Sequence, residues 1–157
     1  MAKIKLFAGT ISIFLVIFSV IIQEIYSLDP CPLCITQRIV FLISGVVFLT
    51  FYLRPFNKWI ELFVLLAINL FGLVFALRHV LIQKKIIQIP AECGIDLGYM
   101  FDNFPLTEMF ELVFRGTGDC SEIDWTLIGI TIPEWSALWF VIFIIITVVN
   151  LKKFKGK

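Results

Sequence analysis

The chain has 157 residues, 60% of them hydrophobic and only 16% charged, with a mean hydropathy of +0.99, which excludes an ordinary soluble globular domain and marks an integral membrane protein. A formal net charge of +1 leaves no basic face to neutralise phosphates and argues against nucleic acid as a partner. The expected architecture is a single all-α membrane domain over residues 1–157, a four-transmembrane-helix bundle with one long outer loop.

The first predicted span covers residues 6–22, behind Lys3 and Lys5. Gln23-Glu24-Ile25-Tyr26 offers no small-residue cleavage site, so this run reads as a retained span rather than a signal peptide. Cys31-Pro32-Leu33-Cys34 follows, then a second span over 36–53 and a tight turn, Arg54-Pro55-Phe56-Asn57-Lys58, in which Pro55 ends the helix. The third span, 59–78, runs out through Arg78, His79 and Gln83. Residues 84–133 change composition to a loop rich in Asp, Glu and Gly that holds Cys93 and Cys120, and a loop of that length usually has a function. Within it Asn103-Phe104-Pro105 is a helix start, and Leu106, Met109, Phe110 and Val113 share one face, as in a short interfacial helix. The same residues could instead simply cap the bundle. The fourth span is 135–151, and each of the four is near the length needed to cross about 30 Å of hydrocarbon.

Four spans put both termini on one side, together with Lys3, Lys5, Arg54, Lys58, Lys152, Lys153, Lys155 and Lys157, eight of the thirteen basic residues. By the positive-inside rule that side is the cytoplasm. All four cysteines then lie on the outer side, where no glutathione pool keeps thiols reduced.

Four cysteines permit three pairings. Cys31 and Cys34 have the redox-active spacing, and Pro30 and Pro32 place the helix start so that the Cys34 sulfur sits on the first turn, where unpaired N–H groups favour an anion. Cys34 is therefore expected to be unusually acidic. Arg38 lies one turn further along the same face, where its charge could serve a thiolate or a reduced quinone oxygen, or merely snorkel to the headgroups. Cys93 and Cys120 could form either a second redox pair or a structural staple. Zinc held by all four cysteines is disfavoured because only one short-spaced pair exists, and no metal is expected. His79, the only histidine, could handle a proton or accept an interfacial role, and Gln23 stands near the outer end of the first span.

These features together resemble the disulfide bond formation protein B (DsbB) family of bacterial membrane thiol:quinone oxidoreductases. The resemblance is carried by Pro30-Cys31-Pro32-Leu33-Cys34-Ile35-Thr36-Gln37-Arg38, by His79-Val80-Leu81-Ile82-Gln83, and by Gly118-Asp119-Cys120 followed by Trp125, Gly129, Pro133 and Trp135. It implies a quinone cofactor, ubiquinone or menaquinone, with Cys34 facing the ring as a thiolate and Arg38 stabilising the charge on a ring oxygen. Gln23 and His79 match positions near the quinone. It also implies that Cys93 forms the mixed disulfide with a periplasmic thioredoxin-fold, DsbA-like oxidase, that Cys120 forms an interloop disulfide with Cys31, and that electrons leave into the quinone pool of the bacterial inner membrane. Gln37 departs from the acid found there in the best-known members.

Two other readings compete. A vitamin K epoxide reductase-like quinone reductase has its loop pair before the helix-borne Cys-x-x-Cys, whereas here Cys31 and Cys34 come first. A non-enzymatic component braced by two disulfides would leave Arg38 dispensable.

Overall fold

Apolar runs of this length become helices in a bilayer because only a helix or a closed barrel satisfies every backbone N–H and C=O internally. In a computed structural model, which describes residues 2–28, 30–87, 118–121, 123 and 125–155, four helices do so. They are α1 (Ala2–Tyr26), α2 (Pro32–Leu53), α3 (Lys58–Gln83) and α4 (Ile132–Lys155), all long and apolar enough to cross a membrane. The protein is a four-helix, multi-pass membrane bundle. The interfacial helix expected after Asn103 and the loop cysteine Cys93 lie outside the described residues.

Local chemistry sets the helix ends. Cys31 caps α2 with extended backbone while Pro32 takes the first turn, where its missing N–H costs nothing. At the far end Arg54 donates its N–H to Thr50 O at 2.8 Å, and Pro55 stops the helix. Asn57 caps α3 by accepting from Trp59 N at 3.1 Å, a standard N-cap contact. Glu134 helps begin α4 by reaching back to accept from the Thr131 N–H at 3.0 Å, the carboxylate half of a capping box. The helices outrun the predicted spans because hydropathy marks the hydrocarbon boundary and not the end of helical hydrogen bonding. As a result, α3 extends past residue 78 and carries His79 and Gln83 on its last turns.

The interior is aromatic and sparingly polar. Phe41 stacks on Phe140 with ring centroids 4.1 Å apart, and Phe143 meets Phe41 and Phe48 edge-on at 6.1 and 5.7 Å. Gly72 makes this possible, since a Cβ there would lie 2.4 Å from the Phe140 ring. Lipid gives helices no hydrophobic drive to associate, so close packing and interhelical hydrogen bonds must hold them. Ser12 donates to Phe41 O at 2.7 Å and Ser44 to Asn69 Oδ1 at 3.0 Å. Large apolar side chains such as Phe7, Phe14, Phe63 and Val74 face outward instead.

A short antiparallel hairpin precedes α4, pairing β1 (Thr126–Leu127) with β2 (Ile130–Thr131). Its two-residue turn holds Ile128 and Gly129 at φ 58° and 77°, the doubly left-handed geometry that matches strand twist. Glycine suits that position, whereas a β-branched isoleucine is strained there. Two residues per strand are too few to leave an alternating signature, so this region reads as plain loop in the sequence.

Candidate active site

The site begins at the head of α2. With Cys31 as N-cap, the Cys34 N–H donates back to Cys31 Sγ at 3.4 Å, and the two sulfurs lie 3.2 Å apart with the Cys31 S–H directed at Cys34. Both are thiols, as is Cys120. Hydrogen bonds that the Cys31 S–H donates toward Cys120 and Cys34, followed by burial, push the Cys31 thiol above the usual range, because each of these favours the protonated form.

Cys120 reaches the same place from the other end of the chain. It sits in a single 3-10 turn, Gly118–Ser121, is 1% exposed, and packs with Cys31, Leu33, Phe75 and Ile82. His79, also 1% exposed, lies beside both. Its Nε2 is 3.7 Å from Cys31 Sγ, and Cys31, Cys120 and His79 have their functional atoms all within 4.8 Å of one another. The buried Gln37 amide nitrogen lies 3.2 Å from His79 Nδ1. With Gln37 donating, the imidazole hydrogen stays on Nε2, the nitrogen beside the Cys31 sulfur, and the ring also hydrogen-bonds the Cys120 backbone.

On the opposite side of Cys34 lies a cavity of about 210 Å³, walled by Cys34, Gln37, Arg38 and Phe41 of α2, Trp135 and Trp139 of α4, and apolar residues of α1. Arg38 is drawn inward and does not snorkel. Its Nη1 donates to Gln23 Oε1 and its Nη2 to Ser19 O at 3.3 Å, so α1 fixes the guanidinium at the cavity wall. The hairpin closes one edge, with Leu127 in the wall and Leu127 O accepting from Trp135 Nε1 at 3.3 Å. An apolar cavity carrying a few oriented donors suits a flat apolar ring with polar oxygens.

The structure thus brings together six of the seven residues singled out in the sequence, namely Cys31, Cys34, Cys120, Arg38, His79 and Gln23. The seventh, Cys93, is not among the described residues. Neither Gln23 nor His79 walls the cavity: Gln23 grips Arg38, and His79 stands behind Gln37 and faces the sulfurs. Trp139 also walls the cavity, and Gln37, which stands in the motif where the best-known members carry an acid, both walls the cavity and contacts His79. Gln37 follows Cys34 by three positions and Trp139 follows Trp135 by four, so helical spacing alone places each with its neighbour.

Comparison with known proteins gives a consistent result. The family model described as "Disulfide bond formation protein DsbB" matches residues 2–150. The chain is 41% identical over 148 residues to disulfide bond formation protein B of Methylobacillus flagellatus, covering 87% of this chain and 89% of the relative. It is 45% identical over 122 residues to the protein of that name from Nitrosococcus oceani, covering 75% and 72%, and 37% identical over 147 residues to that of Saccharophagus degradans, covering 91% and 87%.

Proposed function

The chain belongs to the disulfide bond formation protein B family, a membrane protein of disulfide formation, and from that premise we propose that it is a thiol:quinone oxidoreductase which reoxidises a soluble thioredoxin-fold, DsbA-like oxidase. The reading places it in the bacterial inner membrane with both termini cytoplasmic and the thiols outside. One observation carries it: Cys34 stands between two environments, with a sulfur and imidazole cluster on one side and an apolar cavity holding a fixed Arg38 on the other.

The order of thiol exchange is the one that the family resemblance implies. Reduced partner attacks the loop disulfide, with Cys93 as the entry, and the oxidising equivalent comes from Cys31 through Cys120. Each exchange is attack of a thiolate on a disulfide and releases another thiolate, so two electrons move per cycle. Cys31 keeps its proton and directs its S–H at Cys34, so negative charge in the helix pair resides best on Cys34, assisted by the first turn of α2. The Nε2–H of His79 is placed to stabilise sulfur charge at Cys31 when a bond there breaks.

The cavity fits a quinone by the chemistry of its wall, mainly apolar and aromatic, with Arg38, Gln37, Cys34, Ser19 and Ser136 as its polar members. A bound quinone supplies a two-electron, two-proton acceptor soluble in the bilayer. Arg38 would hold and polarise a ring oxygen, Gln23 would keep Arg38 in place, and His79 would act on the ring only indirectly, by orienting Gln37. Trp135, Trp139 and Phe41 exclude water.

The test is quinone reduction by purified protein supplied with a reduced thioredoxin-fold partner. Cys34→Ser is expected to lose at least about 1,000-fold in turnover, as expected for removing the reacting nucleophile. Retention of turnover in that variant would move the electron exit to another sulfur.

A further inference from the structure

The sulfur cluster has a second capability that needs neither quinone nor partner. Cys31, Cys120 and His79 are all buried and converge within 4.8 Å in surroundings of Leu33, Phe75 and Ile82. Tetrahedral zinc with bonds of about 2.3 Å to sulfur and 2.0 Å to imidazole nitrogen spaces two sulfurs at about 3.8 Å and a sulfur and nitrogen at roughly 3.5 Å. The Cys31 to His79 separation is already 3.7 Å. From this geometry we propose that the reduced protein binds one thiophilic d10 cation, Zn2+ or Cd2+, through Cys31 Sγ, Cys120 Sγ and His79 Nε2.

Charge supports the composition of this set. A dication in an apolar enclosure must be neutralised, and two thiolates with a neutral imidazole do so with no residue. Hard cations such as Mg2+ and Ca2+ want oxygen ligands that the cluster does not offer. Gln37 supplies the outer contact that such a histidine needs. Turning its amide presents Oε1 in place of Nε2, so Nδ1 carries the hydrogen and Nε2 is freed for the metal. Cys34, 3.2 Å from Cys31 on the cavity side, is not required. Cysteine spacing alone disfavours zinc, and it is the fold that adds His79 and Cys120 to Cys31.

The consequence is a redox-gated brake. Binding releases the thiol protons and leaves both sulfurs reduced, whereas any disulfide at Cys31 removes a ligand, so the cation holds only the reduced state and blocks its reoxidation. The site uses the thiols of the proposed reaction but does not depend on turnover.

Anaerobic titration of detergent-solubilised, reduced protein with Cd2+, followed by thiolate-to-metal absorbance, tests this. The Cys93→Ala background prevents a pair of loop thiols from accounting for binding. One equivalent is expected to bind, and none after oxidation. Cys34→Ala, which the proposed reaction cannot survive, should still bind, so failure of one idea is separable from failure of the other. His79→Ala should weaken binding by about 100-fold or more and Gln37→Leu by about 10-fold, the scale of a lost outer contact. X-ray absorption of the zinc-loaded, reduced Cys93→Ala protein should show two sulfurs and one imidazole, which covers the case of a variant that misfolds. A shell without imidazole, binding indifferent to His79→Ala in folded protein, or no equimolar binding would each overturn the proposal.

Discussion

Two partly buried charged groups at opposite ends of the bundle, the Lys5–Glu61 pair and Arg38, are treated in opposite ways. At the end where α1 begins, Lys5 pairs with Glu61 and also donates to Phe51 O at 3.3 Å, while Glu61 accepts from Phe56 N at 3.0 Å. Both charges of this pair are spent on other parts of the same scaffold, tying α1 to α2, to the turn and to α3. At the thiol end Arg38 has, among the described residues, neutral oxygens from Gln23 and Ser19 and no carboxylate. A cation held in place beside a cavity, without a counter-charge, is available to an anion that arrives or develops there. The difference separates structural from functional charge in a membrane bundle: the first is internally neutralised, and the second is oriented but left unneutralised.

Arg38→Ala breaks the functional side of that comparison. It should reduce quinone use by about 10- to 100-fold, the worth of a charge-assisted hydrogen bond of about 1.5–3 kcal/mol, mainly as a raised KM for quinone. Thermal unfolding in detergent should change little. Equal losses of stability and turnover would make Arg38 a structural residue after all.

Glu61→Gln probes the opposite end. Removing a partly buried carboxylate that ties three elements together should cost about 1–3 kcal/mol of stability, read as a lower midpoint of detergent unfolding, with quinone KM unchanged. A shift in KM would mean that the two ends are coupled.

The smallest effect concerns Cys31. Because hydrogen bonds to Cys120 and Cys34 and burial favour its protonated form, Cys31 should ionise later than a free thiol as pH rises. Alkylation of reduced protein, mapped by mass spectrometry, should spare Cys31 at neutral pH and remain slow there at moderately alkaline pH. Labelling at the rate of a free thiol would show that the cluster does not persist in solution.

The residues that made the site legible in advance are those whose partners lie within a turn or two of helix. Cys31, Cys34 and Arg38 needed only the period of α2 and the position of Pro32. The four spans needed only hydropathy, which is a local property of each run. The hairpin at 126–131 left no such trace, and neither did the inward turn of Arg38, which depends on Gln23 and Ser19 fifteen or more positions away.

From the sequence alone came the number of spans, the redox spacing at the head of the second helix and the face shared by Cys34 and Arg38, because local periodicity and composition determine these. Tertiary structure decided which sulfur meets Cys31, that His79 addresses the thiols while Gln37 takes its place at the cavity, and that Arg38 faces inward. Those outcomes depend on contacts between segments far apart in the chain, and their geometry is set by how four helices and a short turn pack, which no single segment encodes.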